Sequence, residues 1–197
     1  MKAKMERFVT LATGNRVGPN VGYVTALDMA WQMGRIGRWT GAGECFWSDM
    51  LHSFVVADLC PDYLKCHALI HDSPECVGND VPSPMKTAAT RRMEHKIMRR
   101  TWKGLMLREL TKEEEAIIKV GDNRARNGEA WVIGNDGNRT SYPDRDGYAE
   151  KLVQQYLAEF PYKETIERTG RGPREFLARF HKYWAMSHIC VTPYQGS

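Results

Sequence analysis

The sequence predicts an all-α fold. Apolar residues recur at helical spacing along most of the chain. N-cap residues and prolines punctuate those runs, and the period-two alternation of strands is scarce. In order, residues 23–36, "YVTALDMAWQMGRI", give a first helix. Ser48 or Asp49 caps a second that reaches about Leu59, and Pro61 suits the first turn of a third, "PDYLKCHALIHD". The run 90–107, "TRRMEHKIMRRTWKGLML", is a fourth. Thr111, with Glu114 three residues on, forms a capping box that opens a long helix through about residue 133. The Gly-, Asn- and Asp-rich stretch 134–147 reads as a loop, and two helices follow near 148–160 and 173–189.

A chain of 197 residues favours one domain with a full core. Apolar residues make up 42% and charged residues 26%, as in ordinary globular proteins. No run approaches the roughly 18 apolar residues of a membrane span. The start, "MKAKMERFVTLATG", has no signal-peptide apolar region, so a cytoplasmic protein is expected. Cys45, Cys60, Cys66, Cys76 and Cys190 show no C-x-x-C spacing, which predicts reduced thiols and no cysteine metal site. The mild net charge of +4 suits an anionic small molecule as well as nucleic acid.

The informative residues are polar ones at positions where apolar residues are expected. His52 precedes Val55 and Val56 by three and four residues, so it faces the way they do. His71 and Asp72 continue the stripe of Leu64 and Ala68, and Asp122 shares a face with Ile118 and Ala125. One inward His is usually a satisfied core residue. Four metal-capable side chains turned inward from three helices point to a metal, because buried charge must be paired, hydrogen-bonded or metal-bound.

The order His, then His-Asp, then a distant Asp resembles the HD phosphohydrolase superfamily. "LHSFVVADL" followed by "ALIHDSPECVGNDVPSPMK" resembles the branch with bacterial 5′-deoxynucleotidases and phage dATP triphosphohydrolases, which reads roughly "EHS…ALLHDAAEAYLGDIPSPLK". "KVGDNRARNGEA" resembles that branch's "KRADRRALATEA", and "GRWTG" its segment before the first His. The resemblance spans about residues 24–133 of a single domain, 1–197. It implies an HD-type helical bundle with a metal site between helices.

Carried over position by position, the resemblance implies that His52, His71, Asp72 and Asp122 hold one divalent metal. Two imidazoles and two carboxylates suit Zn, Co, Mn or Fe(II), with Mg as a further ion on a phosphate chain. It makes Glu75 and Asp80 catalytic: Glu75 orients or deprotonates water, and Asp80 protonates the leaving oxygen or arranges the site. Arg38 would hold phosphate, Trp39 would pack on sugar or base, and Lys86, after Pro82 and Pro84, would reach a phosphate chain, with Pro82 at the substrate. The family usually has Glu or Gln before the first His. Leu51 stands there, so the hydrogen bond that residue makes behind the metal is missing from the expected set.

Plainer readings exist for the flanking residues. Arg38 and Lys86 suit a solvated surface, Trp39 equally suits the core, the prolines can end a helix and Asp80 can cap a turn. The implied reaction is conversion of dATP and water to deoxyadenosine and triphosphate. In a phage with 2-aminoadenine DNA, acting in the host cytoplasm, it would remove dATP from the pool. The alternative is a 5′-deoxynucleotidase that releases phosphate from deoxynucleoside monophosphates. A cyclic-dinucleotide or alarmone phosphodiesterase fits less well, because no second His-His pair is present. A nucleic-acid module using the basic stretch 91–100 would leave the inward carboxylates unexplained. The partners implied are a deoxynucleotide and further copies of the chain, as dimer or hexamer.

Overall fold

The computed structural model describes residues 7–135, 139, 141–142, 145–167 and 169–189. The described residues are mostly helical. A two-stranded antiparallel sheet precedes the helices, β1 (Val9–Thr10) on β2 (Arg16–Val17), with Val9 opposite Val17 and Thr10 opposite Arg16. The helices are α1 (Ala26–Gln32), α2 (Asp49–Leu59), α3 (Lys65–Leu69), α4 (Glu75–Gly78), α5 (Ala88–Gly104), α6 (Lys112–Val132), α7 (Gly147–Glu159), α8 (Tyr162–Ile166) and α9 (Arg171–Ile189). Short 3₁₀ turns lie at Trp39–Gly41, Asp62–Leu64 and Ser83–Met85.

Side-chain caps fix the helix starts. Thr25 and Asp28 make a reciprocal capping box on α1, and Thr111 and Glu114 make one on α6. Ser48 caps α2 by accepting from the Leu51 N–H, and Thr87 caps α5. Asp28 is buried and also accepts from Thr13 Oγ1 and Asn15 Nδ2, which ties the hairpin to α1. That helix is shorter than the predicted 23–36. It ends beside Gly34, whose backbone lies so close to the Thr165 carbonyl that a Cβ would meet the oxygen at 2.3 Å.

The third predicted helix is also broken. It begins with a 3₁₀ turn after Pro61 and stops at Leu69. Pro74 explains the stop. Its ring would strike the carbonyl of Ile70 in a continuous helix, and it biases Ser73 away from helical geometry. His71 and Asp72 therefore sit in a turn between α3 and α4 rather than on a helical stripe.

α2 is the centre of the molecule. Every residue from Asp49 to Ala57 is buried, so the expected apolar stripe is instead a helix enclosed on all sides. α3, α6 and α7 pack on it. At its C-terminal end, Asp58 accepts from Tyr156 Oη on α7 and from Arg179 Nη1 on α9 at 3.2 Å. The Arg179 guanidinium also lies 4.7 Å from the centre of the Phe54 ring. α8 falls between the two C-terminal helices that the sequence predicts. Within the predicted loop 134–147, residues 136–138, 140 and 143–144 lie outside the described set, as does Cys190.

α6 and α7 approach most closely at Gly128, where a Cβ would meet the Ala149 backbone at 2.8 Å and its Cβ at 2.9 Å. Gly128→Ala gains helix propensity of about 1 kcal/mol but overpacks this contact by about 1–3 kcal/mol. A lowered melting temperature is expected in thermal denaturation. A stabilised variant would show that the contact does not limit the packing.

Candidate metal centre

Three parts of the chain meet over the open end of the bundle. α2 brings His52 and Asp49, the α3–α4 turn brings His71 and Asp72, and α6 brings Asp122 and Glu129. His52 Nε2 lies 3.6 Å from Asp72 Oδ2 and 3.3 Å from Asp122 Oδ1. His71 Nε2 lies 3.1 Å from Asp72 Oδ2. The ligand atoms of His52, His71 and Asp72 all fall within 4.8 Å of one another. Asp122 completes the ring through its contact with His52.

Each imidazole is held from behind. Glu129 Oε1 contacts His52 Nδ1 at 2.6 Å, and the Ala68 carbonyl contacts His71 Nδ1 at 2.7 Å. A proton on each Nδ1 satisfies those acceptors and turns each Nε2 toward the ring centre. Both Nε2 atoms are buried and have no hydrogen-bond partner among the described residues. Orphaned imidazole nitrogens beside two carboxylates are the donor set of a borderline divalent cation, so the residues fit such an ion. Glu129, on α6, thus fixes the His52 ring although Leu51 precedes it.

Electrostatics points the same way. Burial and Arg38 push His52 down, but Glu129 and Asp122 outweigh them and raise it to about 9. Burial pushes Asp72 up, yet His71, His52 and Arg38 hold it well below the usual carboxylate range. Burial likewise opposes ionisation of Asp122, and His52, His71 and Arg126 depress its pKa. The pocket wants positive charge at the Nε2 of His52, and a proton and a metal ion are rivals for that place.

Arg38 joins the ring to a second acidic group. Its Nη1 lies 3.3 Å from Asp49 Oδ1 and 3.4 Å from Asp72 Oδ2, and its Nε 3.3 Å from Glu129 Oε2. It is a largely buried hub rather than a solvated charge. Asp49, Glu75 and Asp80 form a further cluster able to hold a cation. Among the described residues, Asp49 Oδ2 and Glu75 Oε2 are buried without partners. Burial, then Asp72 and Asp49, push the Glu75 pKa up, which favours its neutral form.

Above these groups opens a cavity of about 340 Å³. Arg38, Trp39, Asp72, Glu75, Asp80, Pro82, Lys86 and Asp122 border it, whereas His71 borders a second cavity and His52 borders neither. Lys86 is paired with Glu94 at 2.9 Å and with Glu75 at 3.7 Å. Trp39 meets Tyr142 edge-on, with ring centres 5.4 Å apart. Lys119 and Arg126, which grip Asp122 from one turn either side, add two cations to the wall.

The sequence reading missed Glu129, Asp49, Lys119 and Arg126. Helical spacing carries the signal for each: Glu129 is seven residues after Asp122, and Asp49 is three before His52.

No family model matches the chain, and no curated protein matches it.

Asp72→Ala removes the oxygen that both imidazoles face. It should lose bound metal while keeping its helical circular dichroism, and full metal content would overturn the assignment. A second expectation concerns pH in the metal-free protein. His52 stands at about 9 when folded against an ordinary 6.5, so its contribution is complete below pH 6.5 and lost as pH rises to 9. Glu75, also raised, acts in the same sense from lower pH. Chemical denaturation should therefore show metal-free stability falling from pH 6.5 to 9. With metal in place of the His52 proton, the slope over that window should flatten.

Proposed function

We propose that this chain is a metal-dependent deoxynucleotide phosphohydrolase of the HD type. The observation that carries the reading is the pair of orphaned imidazole nitrogens facing Asp72 and Asp122, carboxylates that border a cavity also lined by Arg38, Lys86, Lys119 and Arg126. Donors for a divalent cation beside side chains for anions suit hydrolysis of a phosphate ester. His52, His71, Asp72 and Asp122 would hold the ion, one of Zn, Co, Mn or Fe(II). When bound, it supplies positive charge at a phosphoryl oxygen and acidity to the attacking water.

The protein's own groups do the rest. Among the described residues Arg38 bonds through Nε and Nη1, which leaves Nη2 for a phosphate oxygen. Glu75, deprotonated once cations are near, takes the proton of the attacking water. Asp80 delivers a proton to the sugar oxygen as the bond from that oxygen to phosphorus breaks.

The preferred substrate is dATP, attacked at the α-phosphorus to give deoxyadenosine and triphosphate. Arg38, Lys86, Lys119 and Arg126 border the cavity beside Asp72, Glu75, Asp80 and Asp122, so the choice of a long anion rests on the resemblance. The role of removing dATP in a phage with 2-aminoadenine DNA rests on the resemblance and belongs to the same proposal. One observation favours the runner-up, a 5′-deoxynucleotidase: Lys86 is already paired with Glu94 and Glu75, which leaves less free charge for a chain of phosphates.

Purified protein given dNTPs, dNMPs and NTPs, with each product identified, separates the readings. Triphosphate from dATP supports the first, and inorganic phosphate from dNMPs alone supports the runner-up. Turnover of none overturns both. Glu75→Gln should retain metal and lose rate by ~10²–10⁴-fold. Lys86→Ala should weaken dATP far more than dAMP.

A further inference from the structure

A second cavity, of about 380 Å³, lies on the other side of a wall made by Asp72, Glu75 and Lys86, which border both cavities. That volume is in the range of small-ligand pockets, roughly 300–1,000 Å³. Its chemistry is unlike the first. Pro74, Met98, Trp102, Leu110 and Ile118 give it apolar walls from the α3–α4 turn, α5, the approach to α6 and α6 itself, while His71, Arg91, Glu94, His95 and Glu115 also border it.

Among the described residues, four lining residues carry a buried polar atom without a partner: His71 Nε2 and Glu75 Oε2, which belong to the metal centre and its acidic neighbour, and, away from them, Trp102 Nε1 and His67 Nδ1. Trp102 is 7% exposed and His67 2%. His67 Nε2 lies 3.0 Å from the Arg108 carbonyl, which can only accept, so Nε2 carries the proton and Nδ1 is a bare acceptor. Burial lowers the His67 pKa, in keeping with a neutral ring. The His67 and Trp102 rings meet edge to face at 5.7 Å.

The two cavities therefore ask for different groups. In the first, the unpartnered Nε1 of Trp39 is a donor and its charged neighbours Arg38, Lys86, Lys119 and Arg126 are donors too. Ionised phosphate, which only accepts, suits these donors once a cation offsets Asp72, Glu75, Asp80 and Asp122 on the same lining. In the second, away from the metal-centre residues, one donor and one acceptor lie among apolar side chains. Phosphate has nothing to give the acceptor and would lose its hydration there. A planar heteroaromatic ring with an amino donor beside a ring-nitrogen acceptor meets both demands, and adenine has such an edge.

We infer that this second cavity receives the base of the deoxynucleotide, read by His67 Nδ1 and the Trp102 indole N–H, while the phosphates lie in the cation-lined cavity across the Asp72–Glu75–Lys86 wall. The inference rests on the phosphohydrolase reading for the identity of the ligand, and it moves the base away from Trp39.

The test uses binding without turnover. Deoxyadenosine and inorganic triphosphate are titrated separately into the intact protein, into Met98→Trp and into Trp102→Phe. A Trp at position 98 fills the cavity and should weaken deoxyadenosine at least ten-fold, with triphosphate changed less than two-fold. Trp102→Phe removes the donor and should cost about five-fold for deoxyadenosine alone. His95→Trp, from an exposed position on the rim, repeats the block without disturbing the core.

Deoxyadenosine should also compete with dATP. The inference is overturned if neither Trp variant weakens deoxyadenosine. It is equally overturned if Trp39→Ala alone abolishes that binding, if deoxyadenosine does not compete, or if the intact protein does not bind it. Failure of the phosphohydrolase reading looks different: no metal and no nucleotide turnover, whatever deoxyadenosine does.

Discussion

Carboxylates withdrawn from water need positive charge at close range, and the centre of this protein is arranged around that need. Asp49 and Glu129 are wholly buried, Asp122 nearly so, and Asp72 is half-buried. Arg38 meets three of them with one guanidinium, and its surroundings raise its pKa well above the ordinary value. Its backbone is fixed as firmly as its head. The Arg38 N–H donates to the Trp47 carbonyl, and Gly37 bridges to Ser48, the cap of α2. The loop that carries Arg38 is thus clamped to the helix that carries His52 and Asp49.

That clamp has a local cost. Trp39 and Thr40, directly after Arg38, take positive φ values of 60° and 51°. Left-handed geometry at residues with a Cβ costs on the order of 1 kcal/mol each. The turn holds because it completes a contact made elsewhere: Trp39 lies against the edge of Tyr142, and Arg38 points into the carboxylates. Backbone strain beside a buried cation marks where the chain is over-determined by its site.

Much of this was legible in the sequence. The caps at Ser48 and Thr111, the inward His52 and the face shared by Asp122 and Ala125 follow from local rules of spacing and capping, and those rules act within a turn or two. What was not legible depends on partners far along the chain. Spacing puts Glu129 on the face of Asp122 but does not say that it holds His52, because 77 residues separate them and the pairing exists only once α2 and α6 are packed. The break after Leu69 was legible in principle from Pro74, but the helical periodicity of Leu64, Ala68 and His71 masked it. The two-residue strands and the five-residue α8 are too short for a periodic signal.

One oxygen has an outsized share of the centre. Asp72 Oδ2 is faced at once by His71, His52 and Arg38. A cation on that oxygen would compete with the guanidinium for it, and Arg38 would be freer to turn toward an anion in the cavity. The affinities of the two ligands would then be joined through a single atom. Thermodynamic linkage would make the effect mutual, each ligand tightening the other by the same factor whichever arrives first.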